Sequence, residues 1–216
     1  PGVYTYSVAG TSPCGNAQAQ VNVIENHQPD AGSNGVITIC SNAQPFSLFT
    51  VLTGTPELTG TWYNPGNVQV GDIFTPGSSV AGVYKYRITG SAPCQTDSAT
   101  ATVIVNAFPN AGISSAVQVC AEGPLVALID LLDGSPSTSG SWSYGGNAHS
   151  QFLDPATDLG GAYLYTVAGL TPCANATAQV QVTLVPPPHA GVDGNLAACV
   201  GDDAIQLAAG LGGAPH

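Results

Sequence analysis

An all-β protein assembled from tandem copies of one unit of about 80 residues is what this sequence predicts, and three observations predict it. The first is cysteine spacing. Cys14, Cys40, Cys94, Cys120, Cys173 and Cys199 are separated by 26, 54, 26, 53 and 26 residues, so every second cysteine recurs after 80 or 79. The second is a set of landmarks on the same period, the signature of a repeat architecture. Pro29-Asp30-Ala31-Gly32 returns as Pro109-Asn110-Ala111-Gly112 and Pro188-His189-Ala190-Gly191. Gly60-Thr61-Trp62 returns as Gly140-Ser141-Trp142. Gly2-Val3-Tyr4-Thr5-Tyr6 returns as Gly82-Val83-Tyr84-Lys85-Tyr86 and Gly161-Ala162-Tyr163-Leu164-Tyr165. The third is alternation. Ala99, Ala101, Val103 and Val105 occupy one side of a segment whose other side is mostly polar, the pattern of a half-buried antiparallel strand.

The period divides the 216 residues into the tail of one repeat (1–28), two whole repeats (29–108 and 109–187) and the head of another (188–216). The chain opens on Pro1 and is read as an internal piece of a longer polypeptide, with partial ends that depend on neighbours for their packing. Within 29–108, strands are expected near 36–40, 46–52, 60–64, 70–74, 77–80, 82–89 and 98–106, punctuated by Gly, Pro, Asn and Ser. The segment Ala204–Ala209 aligns with Pro45–Phe49 and is read as a strand too. Seven short strands with turn signals between them match an immunoglobulin-like sandwich. Trp62 and Trp142 fall where such folds bury a tryptophan. Tyr4, Tyr84 and Tyr163 fall at the tyrosine-corner position. Tyr86 takes the inward site that holds a cysteine in antibody domains, so the cysteines here serve another purpose. Tandem immunoglobulin-like sandwiches stacked end to end are the expected architecture.

In such a sandwich Cys40 lies at the corner between the first two strands, and Cys94 in the hairpin between the last two. A strand of seven or eight residues at ~3.3 Å per residue holds these ends some 25 Å apart, whereas a disulfide needs Cα atoms within about 7 Å. Two pairings stay open. Cys40–Cys94 and Cys120–Cys173 within repeats require the first strand to be displaced. Cys40–Cys173 between stacked repeats leaves Cys94 and Cys120 to pair with repeats further along. Free thiols or a metal site are disfavoured, because no CxxC or Cys/His cluster exists.

Composition narrows the function classes. Charged residues are 7% of the chain, with two cations, Lys85 and Arg87, against thirteen acids, for a formal net charge of −11. That balance excludes a nucleic-acid binder working by phosphate neutralisation, and argues against electrostatic attachment to an anionic membrane. No apolar run approaches the ~18–20 residues that span a bilayer. Ser, Thr, Asn, Gln and Gly replace charge on the surface, which with paired cysteines points to an extracellular or cell-surface setting.

Chemical sites are sparse. His27, His149, His189 and His216 do not recur with the period, sit in linkers or loops, and come with no local nucleophile or partner acid. No enzyme activity and no cofactor are expected. Asp130, Asp133, Asp154, Asp158, Asp202 and Asp203 are possible calcium ligands, but they lack the DxDxDG loop and are read as turn formers. Tyr63 and Tyr144 are the candidates for stacking on a glycan, and Trp62 and Trp142 are core residues first. Asn175-Ala176-Thr177 matches an N-glycan acceptor and Asp97-Ser98-Ala99 a short O-glycosylation pattern. Lys85 and Arg87 are read as surface cations.

Pro-x-Ala-Gly, Ile39-Cys40, Gly-Thr-Trp, Ala81-Gly82-Val83-Tyr84-Lys85-Tyr86 and Ala92-Pro93-Cys94 before a Thr/Ala/Val strand together resemble the tandem Ig-like or PKD-like repeats of giant surface proteins in gliding Bacteroidota. The resemblance covers the whole chain. It implies export by the type IX secretion route and roles in adhesion, gliding, and attachment to a surface or prey. The function expected is a stalk or filament segment that displays an adhesive or other head away from the cell. Its partners are neighbouring repeats and identical chains in a fibre or bundle. Two alternatives are a binding module whose repeats recognise glycan or protein, and accessory repeats of a secreted enzyme.

Overall fold

The computed structural model describes residues 1–201 and 203–213. Two antiparallel strands, β1 (Gly2–Val8) and β2 (Ala17–Val23), open the chain. The next seven are β3 (Gly35–Cys40), β4 (Phe46–Ser47), β5 (Thr61–Tyr63), β6 (Gln69–Val70), β7 (Ile73–Phe74), β8 (Gly82–Ile88) and β9 (Asp97–Asn106). Seven counterparts follow: β10 (Ser115–Cys120), β11 (Val126–Ala127), β12 (Ser141–Tyr144), β13 (Asn147–His149), β14 (Phe152–Leu153), β15 (Gly161–Val167) and β16 (Ala176–Val185). One 3-10 turn follows β4 at Leu48–Thr50, one follows β11 at Leu128–Leu131, and a third lies at Leu207–Gly210.

The chain forms two compact units. The first holds Pro1–Ala107 together with the hairpin tip Leu170–Cys173, and the second Phe108–Gly169 with the residues from Ala174 on. In the first, a five-stranded sheet ordered β3-β9-β8-β5-β6 accompanies the two-stranded β4-β7. In the second, β10-β16-β15-β12-β13 accompanies β11-β14. This is an all-β, immunoglobulin-like architecture in tandem.

Alternation builds each core. Tyr84, Tyr86 and Ile88 of β8 point inward while Val83, Lys85 and Arg87 face water. Their cross-strand partners on β9 are small: Tyr84 faces Ala101 and Tyr86 faces Ala99. Ring beside methyl fills the space without overlap. Leu48 and Phe74 join this cluster, as do Trp62 and Val103. The second core repeats it with Leu128, Leu153, Trp142, Tyr165 and Val180. Trp62 lies 4.9 Å from Tyr86 and Trp142 4.8 Å from Tyr165, tilted by 36° and 34°.

Glycine before Ser/Thr-Trp recurs for a steric reason. A Cβ on Gly60 would stand 2.7 Å from the Tyr86 ring, and one on Gly140 2.4 Å from the Tyr165 ring. Those two rings also need the glycine backbone. The Gly60 and Gly140 amides donate to the Tyr86 and Tyr165 hydroxyls at 2.7 and 2.8 Å.

The structure corrects several strand expectations. The expected strand 46–52 is two residues of β4 running into a 3-10 turn; the Ser47 hydroxyl accepts from the Phe49 amide at its start, and the same turn forms at Leu128–Leu131 without a side-chain cap. The expected strand 70–74 divides into β6 and β7, which belong to different sheets. Residues 77–80 form a turn instead of a strand. Gly77 adopts φ 82°, and the Ser79 hydroxyl accepts from the Thr75 amide. Ala204–Ala209, expected as a strand, leads into the 3-10 turn at Leu207–Gly210, as its counterparts at Leu48 and Leu128 do. The first strand of each repeat is parallel to the last: Ile37 faces Val103 and Val117 faces Val182. The last strand is thus antiparallel on one side only.

Tyr4, expected in a core, is 61% exposed. The sheet pair β1–β2 has the register of β8–β9, but no described element lies over the face that carries Tyr4, Tyr6 and Val21.

Candidate functional site: the hairpin and corner cysteines

Three hairpin tips carry the motif Pro-Cys, and they share one local design. The Cys14, Cys94 and Cys173 amides donate to Thr11, Ser91 and Leu170 carbonyls at 2.8, 2.9 and 2.8 Å. In the outer two, an asparagine side chain closes the hairpin neck: Asn16 Oδ1 accepts from Gly10 and Asn175 Oδ1 from Gly169, each at 3.0 Å. The peptide bonds before Pro13, Pro93 and Pro172 are cis.

Cys173 is bonded to Cys40 across a sequence separation of 133 residues, with Cα atoms 5.0 Å apart. Both are buried, at 7% and 6% exposure. Asn106 explains the meeting. It is the parallel-ladder neighbour of Cys40, at the end of β9. Its side-chain amide donates to the Thr171 carbonyl at 2.8 Å, which holds the hairpin tip beside the corner. Cys173 Sγ lies 3.5 Å from the carbonyl oxygens of Asn106 and Ala107. The within-repeat pairs Cys40–Cys94 and Cys120–Cys173 are therefore not formed.

Cys94 has the same surroundings without the bond. Asn26, the counterpart of Asn106, donates its side-chain amide to the Ala92 carbonyl at 2.6 Å. The Cys94 thiol donates to the Asn26 carbonyl at 3.3 Å. Cys120 repeats the corner. It ends β10 as Cys40 ends β3, and its carbonyl accepts from Gly123 at 2.9 Å, as that of Cys40 does from Ala43 at 3.0 Å. Val185 stands where the first corner has Asn106. Cys14 and Cys120 are exposed and Cys94 is partly so. Cys199 lies on the exposed C-terminal segment.

The tyrosine-corner residues are built as the fold demands. Tyr84 donates to the Val80 carbonyl at 2.8 Å and Tyr163 to that of Leu159 at 2.6 Å. Burial pushes the Tyr84 and Tyr86 hydroxyls up from the ordinary value of 10.0. Burial first, then the nearby Asp158 carboxylate and Tyr144, pushes Tyr163 up to about 12.

Several of the remaining sequence candidates have structural partners. His149, expected in a loop, lies on β13. It faces Trp142 in the ladder, stands 3.3 Å from Asp158 and packs edge-on against Tyr163. His27 pairs with Glu57 at 2.7 Å in the open. His189 Nδ1 accepts from the Gly191 amide at 3.1 Å. His216 and Asp202 lie outside the described residues. Asp154 and Asp158 cap one turn: Asp158 accepts from the Asp154 amide at 2.7 Å and Asp154 from Ala156 at 3.1 Å. Asp133 bridges to Ile113 through its backbone. Among the described residues, no three His, Cys, Asp or Glu side chains, Asp130 and Asp203 included, come together as a metal set.

Tyr144 leans on Tyr163, with centroids 4.7 Å apart, and donates to the Gly160 carbonyl at 3.0 Å. It is tied into its own repeat. Tyr63 is half-buried on β5, opposite Lys85. Asp97 accepts from the Ala31 amide at 2.7 Å, and Ser98 beside it is exposed. Sequence reasoning found the cysteine positions. It missed Asn26 and Asn106, whose spacing of one repeat was the available signal.

No protein-family model matches the chain, and no curated protein matches its sequence. Among solved structures it is similar to a three-domain I-band fragment of titin, at 14% identity and TM-score 0.53, covering 85% of this chain and 74% of that one. A mutated variant of the same titin segment gives the same values. The class defined by sheet order and by these likenesses is a tandem immunoglobulin-like β-sandwich protein. Within that class, this chain is one whose sequence repeats are joined by a corner-to-hairpin disulfide instead of carrying one inside each sandwich.

Proposed function

We propose that this chain is a stretch of an extracellular, load-bearing stalk or filament that carries an adhesive or other head away from the cell. The Cys40–Cys173 bond is the observation that carries the reading. A disulfide placed between repeats resists the separation of one repeat from the next. Such bonds persist in oxidising compartments. The repeats on this reading are 29–108 and 109–187, with 1–28 and 188–216 belonging to flanking copies. The resemblance to giant surface proteins of gliding Bacteroidota supports export by the type IX route and a role in attachment. Side-by-side association of identical chains suits a surface rich in neutral hydrogen-bonding groups.

Protease shaving of intact producing cells tests the placement. Peptides from 29–187 are expected in the released fraction, and their recovery only after lysis overturns it. The chain itself is expected to show no saturable binding on glycan and protein arrays. Saturable binding lost in Tyr63→Ala turns the reading toward a binding module.

A further inference from the structure

We infer that the cysteines make a pair of interleaved covalent ladders along an array of these repeats, and that the ladders limit how far the array can be stretched. The inference rests on the load-bearing reading above and assigns its molecular basis.

Three observations carry it. The corner of one repeat is bonded to the hairpin of the next, Cys40 to Cys173. Cys120 occupies the same corner one repeat on, at the end of β10. Cys94 occupies the same hairpin one repeat back, already held by Asn26 as Cys173 is by Asn106. Each of these thiols thus has half of a known arrangement around it. The matching half for Cys94 is the corner cysteine of a preceding repeat, and for Cys120 the hairpin cysteine of a following one. On this inference both partners belong to the same polypeptide, at about the separation of 133 residues seen for the formed bond.

The spacing then has a mechanical consequence. From each hairpin cysteine to the next corner cysteine is always 26 residues, from Cys14 to Cys40, Cys94 to Cys120 and Cys173 to Cys199. A taut path along one ladder runs through 26 residues, crosses a disulfide, and arrives about 160 residues further along the chain. At ~3.5 Å per residue the strapped path is roughly 90 Å for every two repeats, against roughly 550 Å for the same chain without straps. The segments between a corner cysteine and the following hairpin cysteine, 41–93 and 121–172, are therefore shielded from tension, while the last strand of one repeat and the first of the next carry it.

Each bond forms by thiol–disulfide exchange. Two thiols lose two protons and two electrons, and a disulfide-bearing oxidant takes them up as two thiols. Oxidised glutathione serves as that oxidant in the test.

The test completes both partial repeats with the chain's own sequence. Residues 29–80 are placed before Pro1 and residues 138–187 after His216. The added copies are mass-marked by Thr38→Ser and Thr171→Ser. After oxidation, non-reducing peptide mapping is expected to recover Cys94 with the added corner cysteine and Cys120 with the added hairpin cysteine, beside Cys40–Cys173. Either thiol still open to iodoacetamide while Cys40–Cys173 is intact overturns the ladder, as does a Cys94–Cys120 bond. In the unextended chain pulled from its ends, reduction is expected to release about 450 Å of further length, the segment enclosed by Cys40–Cys173. Full release without reductant also overturns the inference. A ladder that forms in a chain absent from the cell surface leaves this inference standing and removes the stalk.

Discussion

The Tyr86 hydroxyl sits between two backbone groups: it accepts from the Gly60 amide at 2.7 Å and donates to the Glu57 carbonyl at 2.5 Å. The residue that fills the disulfide position of an antibody domain thus ties the loop before the core tryptophan to the middle of the main sheet. One phenol supplies both the packing and the cross-connection.

Tyr86→Phe is expected to keep the ring packing and strand both backbone partners. Leaving a buried polar group unsatisfied costs roughly 1–3 kcal/mol. Urea denaturation should show the first unit weakened by about that amount. A change below ~0.5 kcal/mol contradicts the role given to the hydroxyl.

Trp62→Ala removes the largest ring from the first core. Truncating a buried aromatic typically costs about 3–5 kcal/mol. The cores around Trp62 and Trp142 are separate clusters, so the double variant should lose close to the sum of the single losses. Strong non-additivity would show the two cores to be one.

Alkaline pH should unfold the second unit. The folded-state value of Tyr163 is raised, to about 12 against 10.0, so the unfolded chain gives up its proton first. The stability contributed by the neutral phenol is complete below about pH 10 and is lost as pH rises through about 12. Tyr84 and Tyr86 are raised in the same direction. Melting temperature measured from pH 8 to 12 should fall above about pH 10, and Tyr163→Phe should soften the fall. A flat profile contradicts the assignment.

Reduction of Cys40–Cys173 frees a long loop. Closing a loop of about 100 residues is worth roughly 4–5 kcal/mol in the chain-entropy account. Melting with and without reductant should show a large drop, matched by Cys40→Ser. Equal melting temperatures would mean that the hairpin is held by Asn106 alone.

Much of this architecture was legible in the sequence because it rests on local pattern. Alternation over 99–105 and the repeated Gly-Val-Tyr-x-Tyr motif at 82–86 identified the two central strands, since one buried face leaves a period of two. The glycine before each Trp and the Tyr-x-Tyr pair marked the core contacts. Short segments were not legible in the same way. Phe46–Val51 and Val70–Phe74 carry apolar residues that suit a strand, yet the first runs into a 3-10 turn after two strand residues, as its counterpart at Leu128–Leu131 does, and the second is split between two sheets.

The sequence by itself determined the repeat, its period, the strand-rich class and which residues face inward in the two whole repeats, such as Trp62, Tyr84, Trp142 and Tyr163, because these depend on spacing along one chain. The tertiary structure decided which cysteines meet, which residues lie across a sheet, and that the first strand runs parallel to the last. Those outcomes depend on distance between residues far apart in the chain, such as Cys40 and Cys173, brought within 5.0 Å by Asn106 at the end of a neighbouring strand.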